Sequence, residues 1–311
     1  MQILINVIQF LFGVTFLYYG AEFLVKGSIS VARRFNISPL IVGITLVALG
    51  TSLPEVFVSI LANLKDQQGM VIGNVIGSNI ANIGLVLGIT AIISSVNFPF
   101  SKVRYDMYFL LAISFLLLFF IMIGGLVFWQ GMVFILIMII YFTFLIINHR
   151  FTDSEQNVHE DNNRFFLVIQ LIIGTIGLGF GASFFIEGAK GIAIYLGVSD
   201  LVIGMSIVAL GTSLPELAAS LSSIKHGESG FIIGNVIGSN IMNIVLVLGI
   251  TLFFGNIHIV FSEIIIYGFF MLLLTISLLI LLKMKNKINK FSGFVFIMIY
   301  ILFLYLNFIN I

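Results

Sequence analysis

The sequence predicts an all-α integral membrane protein of ten transmembrane helices. They are expected to form two inverted five-helix repeats, with broken helices 2, 3, 7 and 8 around a midplane ion site. Three observations carry this. The 311 residues are 60% hydrophobic and only 9% charged, with a mean hydropathy of +1.21, whereas a soluble domain is about one-quarter charged. The second half of the chain repeats the first. Finally, the stretch GTSLPE occurs twice, at Gly50–Glu55 and Gly211–Glu216, each time within an apolar run.

Apolar runs near the roughly 20 residues that a spanning helix needs lie at 2–26, 38–63, 70–95, 105–124 and 127–147. A second set lies at 165–188, 200–223, 231–256, 262–282 and 291–310. The first run lacks the basic leader and small-residue cleavage site of a secretory signal, so it is read as a span. Hydropathy alone does not settle the third and eighth, because both contain glycine and asparagine. Between the fifth and sixth lies the polar segment His149–Asn163.

A shift of 161 residues superposes the two sets. VALGTSLPE at Val47–Glu55 recurs letter for letter at Val208–Glu216, and Val71–Thr90 matches Ile232–Thr251 at 17 of 20 positions. The domains predicted are therefore residues 1–148, a linker at 149–163, and residues 164–311. Five helices per unit is an odd number, so the second unit must enter the membrane from the opposite side. Many secondary transporters are built this way, with sites near the midplane.

Orientation follows from basic residues, which favour the cytoplasmic side. With the N-terminus outside, the inner connections hold Lys26, Arg33, Arg34, Lys102, Arg104, Arg150, Arg164, Lys225, Lys283, Lys285, Lys287 and Lys290. That is 12 of the 14 basic residues. Lys65 and Lys190 fall outside. Both termini are expected outside, in a plasma or inner cell membrane.

In each GTSLPE the proline removes a backbone donor and crowds the carbonyl four residues earlier. The carbonyls of Ala48 and Ala209 are expected to leave the helical ladder. Backbone polar groups at that depth are tolerated only when buried in protein or facing a polar cavity. Thr51, Ser52, Thr212 and Ser213 add hydroxyls within a turn, and Glu55 and Glu216 add the charges. A carboxylate at the bilayer centre costs about 2.5–3.5 kcal/mol by insertion scales. A simple proline kink needs no glutamate.

The segments GNVIGSNIAN and GNVIGSNIMN supply partners. Gly73/Gly77 and Gly234/Gly238 are spaced for close helix packing. Ser78 and Asn82, and likewise Ser239 and Asn243, lie four apart on one face, with Asn74 one turn earlier; these are expected to line the site. Asn79 and Asn240 lie about 100° round the helix and are expected to bond between helices or to the backbone. The donor set is then two carboxylates with amide, hydroxyl and carbonyl oxygens. Such hard oxygens suit calcium, which takes six to eight, and disfavour magnesium in a dry site. Sodium accepts the same oxygens. A site that calcium or several sodium ions can neutralise, but not both together, is the physical basis of exchange.

Other classes fit poorly. There is no basic patch for nucleic acid, and without cysteine there is no thiolate or iron–sulfur chemistry. The four histidines lie in or near connections. Catalysis by a buried Ser–His pair lacks its histidine, and no aspartate is expected deep in a span. No cofactor and no obligate protein partner is implied beyond the lipid bilayer. A channel would need a conduction filter rather than a closed charged site. A proton/calcium antiporter would use the same glutamates as proton carriers, with less need for the four serines.

GTSLPE followed by GNxxGSNxxN, twice, resembles the alpha-repeats of the sodium/calcium exchanger family within the calcium/cation antiporter superfamily. The resemblance covers essentially the whole chain. It implies sodium/calcium antiport, with Glu55 and Glu216 as carboxylates shared by both ions. It also implies sodium-site ligation by Ser52, Ser78, Ser213 and Ser239, with Thr51, Thr212 and the carbonyls of Ala48 and Ala209, while Asn82 and Asn243 complete the centre. Some relatives carry aspartate at the position of Asn243; its absence argues against potassium co-transport. The 149–163 segment is too short for the regulatory domains of animal relatives, so an unregulated core exchanger is expected. Helices 1 and 6 are expected to move across a fixed site.

Overall fold

The structure, a computed structural model, describes residues 2–148, 164–197, 211–259 and 261–309. Ten helices run through them. In the first half they are α1 (Gln2–Arg34), α2 (Pro39–Leu64), α3 (Gln68–Ile93), α4 (Phe100–Met122) and α5 (Phe128–Asn148). In the second they are α6 (Arg164–Tyr195), α7 (Leu214–Lys225), α8 (Ser229–Thr251), α9 (Phe261–Lys285) and α10 (Lys290–Ile309). By length and composition, all but α7 can cross a membrane. The first half of the predicted seventh span, with Ala209, lies outside the described residues.

The span expected to break at Pro54 stays helical through that proline. α2 starts cleanly, with Ser38 capping the Ile41 amide at 3.3 Å and Pro39 in the first turn. It then widens into a π-helical segment at Gly43–Val47 and resumes α geometry through Pro54. α3 and α8 do the same at Asn82–Leu87 and Asn243–Leu248, 161 residues apart. A π turn absorbs one extra residue without leaving the helix, and such turns frequently mark functional sites. Each of these two begins on an asparagine assigned to the site. In the seventh span, turn geometry at Thr212 and Ser213 precedes α7.

Burial explains how α3 and α8 can carry glycine and asparagine within a span. In their most apolar stretches 72% of α3 and all of α8 is buried, against 22% of α1. Helices shielded from lipid can carry glycine and amide side chains that a lipid-facing helix cannot. Buried apolar side chains form two clusters. The larger joins α3, α4, α5, α8, α9 and α10, and its members include Ile76, Leu110, Phe134, Val236, Leu274 and Phe296. The smaller joins α1 to α6, with Leu17, Leu24 and Leu178, and reaches Val42, Val47, Ala219 and Phe231.

α1 and α6 lie against each other at glycine. A methyl group added at Gly174 would stand 2.5 Å from the Leu24 backbone nitrogen, and one at Gly181 would stand 2.6 Å from that of Leu17. Small residues permit such backbone approach between membrane helices. The counterparts of these two glycines under the repeat are Gly13 and Gly20, which are equally tight against Phe185 and Leu178.

Two short pairings tie the connections together. β1 (Val96–Asn97) pairs antiparallel with β2 (Lys287–Ile288), with Val96 opposite Ile288. Leu126 bridges Ile257 in the same sense. One aspartate is buried after all: Asp106, in the second turn of α4, accepts a 2.7 Å hydrogen bond from the Tyr141 hydroxyl of α5. It sits beside the lysine and arginine at the start of α4, toward one membrane face rather than at mid-span.

Candidate ion-binding site

α2, α3, the stretch from Thr212 into α7, and α8 converge on Glu55 and Glu216, which are 1% and 0% exposed. Among the described residues neither carboxylate has a hydrogen-bond partner. The two are close enough to interact electrostatically. The hydroxyls of Thr51, Ser52 and Ser239 face Glu216 without reaching hydrogen-bond geometry. The Ser52 and Ser213 hydroxyls, the Asn82 amide oxygen and both polar atoms of Asn243 are likewise buried and unpartnered. Buried polar groups are normally satisfied. A cluster of orphans made almost wholly of oxygens, around two carboxylates, is what a dehydrated cation requires.

The backbone of each glutamate is held by an asparagine. Asn74 donates to the Glu55 carbonyl at 3.2 Å and to the Ser59 hydroxyl at 2.9 Å. Asn235 donates to the Glu216 carbonyl at 3.1 Å and to the Ser220 hydroxyl at 3.1 Å. All three positions are related by the same shift of 161. Sequence reasoning put Asn74 on the site face but missed Asn235, Ser59 and Ser220; the signal was there, since each serine follows its glutamate by four residues in both copies. Removing a buried hydrogen-bonding partner costs about 1–3 kcal/mol. Asn235→Ala is therefore expected to lower the thermal midpoint of the detergent-solubilised protein, and Ser220→Ala to lower it less.

Asn240 links helices through its side chain, whereas the Asn79 amide donates to the Val75 carbonyl of its own helix at 2.8 Å. Asn82 donates to the Asn240 side-chain oxygen at 3.1 Å, and Asn240 donates to the Asn79 carbonyl at 3.3 Å. This bond pair crosses from α3 to α8 beside the glutamates.

The two halves are alike in sequence but not in packing. On one side the Thr51 hydroxyl lies 3.3 Å from the Ser239 hydroxyl, the Asn235 side-chain oxygen and the Ala48 carbonyl. The repeat counterparts of Thr51 and Ser239, Thr212 and Ser78, instead line a cavity of about 350 Å³. That cavity also touches Met70, Gly73, Asn74, Gly77, Tyr267 and Asn307. The glycine pairs differ in the same way. A methyl group at Gly238 would stand 2.6 Å from the Ile44 Cα and 2.7 Å from the Ala48 Cβ. At Gly73 and Gly77 no described atom lies within 4 Å. The packing role expected of all four glycines is seen at Gly234 and Gly238 only.

Of the site residues predicted, Glu55, Glu216, Asn82, Asn243, Thr51, Ser52, Ser213, Ser239 and Ala48 are buried together, and Ser78 and Thr212 stand at the cavity. Ala209 lies outside the described residues.

A multi-pass helical membrane protein with two buried carboxylates in an oxygen-lined centre is a cation carrier in its architecture. The comparisons with known proteins are specific. The family described as sodium/calcium exchanger protein matches twice, over residues 5–147 and 166–309. The sodium/calcium exchanger MaX1 of Methanosarcina acetivorans is 32% identical over 352 residues, covering 97% of this chain and 98% of that protein. An uncharacterized membrane protein of Methanocaldococcus jannaschii is 39% identical over 302 residues, covering 97% of each. A solved structure of the sodium-calcium exchanger NCX_Mj, from work on extracellular ion exchange and induced binding-site occlusion, superposes with a TM-score of 0.83. It is 37% identical and covers 96% of this chain and 97% of that one. The chain belongs to the sodium/calcium exchanger protein family; it is an antiporter and not an enzyme.

Proposed function

We propose that this chain exchanges sodium for calcium across the cell membrane by alternating access, with Glu55 and Glu216 as the carboxylates both ions share. The observation that carries the proposal is the pair of fully buried carboxylates, unpartnered among the described residues and ringed by hydroxyl and amide oxygens that are unpartnered there too. Two carboxylates match the charge of one calcium, or of sodium ions sharing the same oxygens. The Thr51, Ser52, Ser78, Thr212, Ser213 and Ser239 hydroxyls would serve sodium, with the Ala48 and Ala209 carbonyls, and Asn82 and Asn243 would close the centre. Names among the relatives support both ions.

Residues 1–148 and 164–311 act as inverted halves joined by the 149–163 linker, with both termini outside. In that orientation the hydrogen-bonded cluster at Thr51, Asn235 and Ser239 lies inward of the glutamates, and the cavity at Ser78 and Thr212 lies outward. The structure then corresponds to a site open to the outside and closed to the cytoplasm. The close glycine contacts between α1 and α6 support a helix pair that moves as one body past the site.

Proteoliposomes loaded with sodium and diluted into sodium-free buffer test this. Calcium uptake that requires the sodium gradient and resists a proton uncoupler is expected. Uptake that follows a pH gradient and ignores sodium would place the protein with proton/calcium antiporters. Net charge movement should make the rate depend on voltage, at about 2.3 kcal/mol per charge per 100 mV.

A further inference from the structure

A charged cluster outside the ion site joins α1 to the far end of α7. Glu22 lies 3.0 Å from Lys26, one turn along α1, and 3.4 Å from the His226 Nε2. The Ser222 hydroxyl donates to its other oxygen at 3.0 Å, and Lys225 lies 4.0 Å from it. Lys225 also donates to the Tyr18 hydroxyl at 2.9 Å and sits 4.1 Å from the centre of that ring. The Glu22 side chain is only 21% exposed. Charge-assisted bonds that are partly shielded are stronger than solvated surface pairs.

The repeat supplies the comparison. Shifting by 161, Tyr18 and Glu22 become Gly179 and Ser183, while Lys225 and His226 count back to Leu64 and Lys65. The second copy thus has neither the acid nor the aromatic ring. Gly179 and Ser183, the counterparts of Tyr18 and Glu22, instead line a cavity of about 370 Å³ between α6 and α2, with Gly50, Pro54 and Thr175. One end of the molecule is fastened, while at the other the α6 positions equivalent to Tyr18 and Glu22 face a cavity. The fastened end is the one at which Thr51 and Ser239 are closed.

We propose that Glu22, bonded by Ser222 and flanked by Lys225 and His226, is an inner clasp that fastens α1 to α7 and keeps the cytoplasmic side shut while the outer side is open. Glu22 is a positioning residue: it touches no site residue and acts by setting which face the site can reach. Releasing α1 at this cluster would let the helix pair slide, and rebuilding it would reset the carrier. Nothing equivalent fastens α6 to α2 among the described residues, so the device is one-sided and biases the resting state outward. The proposal rests on the alternating-access reading above.

The chain has no cysteine, so single thiols can report on each side. Ala219→Cys places one on α7 within the apolar cluster that α1 covers. Val58→Cys places one on the outer cavity. A membrane-impermeant thiol reagent is applied to the inner face for the first and the outer face for the second. Loss of a charge-assisted hydrogen bond changes a two-state balance about tenfold. With Glu22→Gln added, the thiol at position 219 should therefore label about tenfold faster and the thiol at position 58 correspondingly slower. Lys225→Met with His226→Gln should give the same pair of changes, so the reading survives if one variant fails to fold, and Glu22→Asp should restore both rates in part. An unchanged rate at position 219 overturns the clasp, as does a rise at both positions, which would mean general loosening. Thiol labelling needs no flux, so a failure of sodium/calcium exchange and a failure of the clasp are told apart.

Discussion

Glu55→Gln and Glu216→Gln should each abolish sodium-driven calcium uptake while leaving the protein folded. The side chains are isosteric, so packing is retained and only charge is lost. Removing one partner of a buried charge pair costs about 3–5 kcal/mol, or roughly 10²–10³-fold in affinity. The sign of the stability change is the sharper test. In ion-free buffer the wild-type protein holds two buried carboxylates with no hydrogen-bond partner among the described residues, so a neutral amide should raise the thermal midpoint or leave it unchanged. Saturating calcium should stabilise the wild type, by about 2.7 kcal/mol at a hundred times its Kd. It should stabilise neither variant. A variant that unfolds without ions would show that the glutamates serve the fold rather than the cargo.

Gly238→Ala and Gly77→Ala should behave oppositely, although the two glycines occupy the same place in the repeat. A methyl group at Gly238 meets the Ile44 backbone at 2.6 Å. Overpacking of this kind costs about 1–3 kcal/mol, and the thermal midpoint should fall. Gly77 has no described neighbour within 4 Å, so Gly77→Ala should hold the midpoint or raise it slightly, because alanine favours helix by about 1 kcal/mol over glycine. Its effect should appear in turnover. If the halves exchange roles during transport, Gly77 must make in the inward-facing state the tight contact that Gly238 makes here. The expected phenotype is calcium binding near wild type with exchange slowed at least about tenfold, the equivalent of 1.4 kcal/mol. Normal turnover in Gly77→Ala would argue against exchange of roles between the halves.

Much of this was legible before the structure. The ten apolar runs, the repeat and the burial of Glu55 and Glu216 follow from hydropathy and from the cost of placing a carboxylate in hydrocarbon. Three features were not. The prolines in GTSLPE suggested broken helices, because proline removes a donor. In α2 the chain passes Pro54 within α geometry and widens earlier, at Gly43–Val47. Nothing in the composition of that segment distinguishes a π turn from an α turn. The second is the difference between the halves. Identical motifs cannot say which copy is open, so Gly77 and Gly238 read alike until their neighbours are known. The third is pairing at long range. Glu22 with Ser222, and Asp106 with Tyr141, join residues whose partnership no local pattern records. Asn235, by contrast, was available from the repeat once Asn74 had been placed on the site face.

Calcium and sodium should compete for one centre built on Glu55 and Glu216. The most direct test is equilibrium binding of radioactive calcium to the purified protein across a sodium titration. One calcium per chain is predicted, displaced completely by sodium along a curve steeper than a single-ion isotherm, and absent in Glu55→Gln and Glu216→Gln. Calcium binding that sodium leaves untouched, or that persists in either variant, would contradict it.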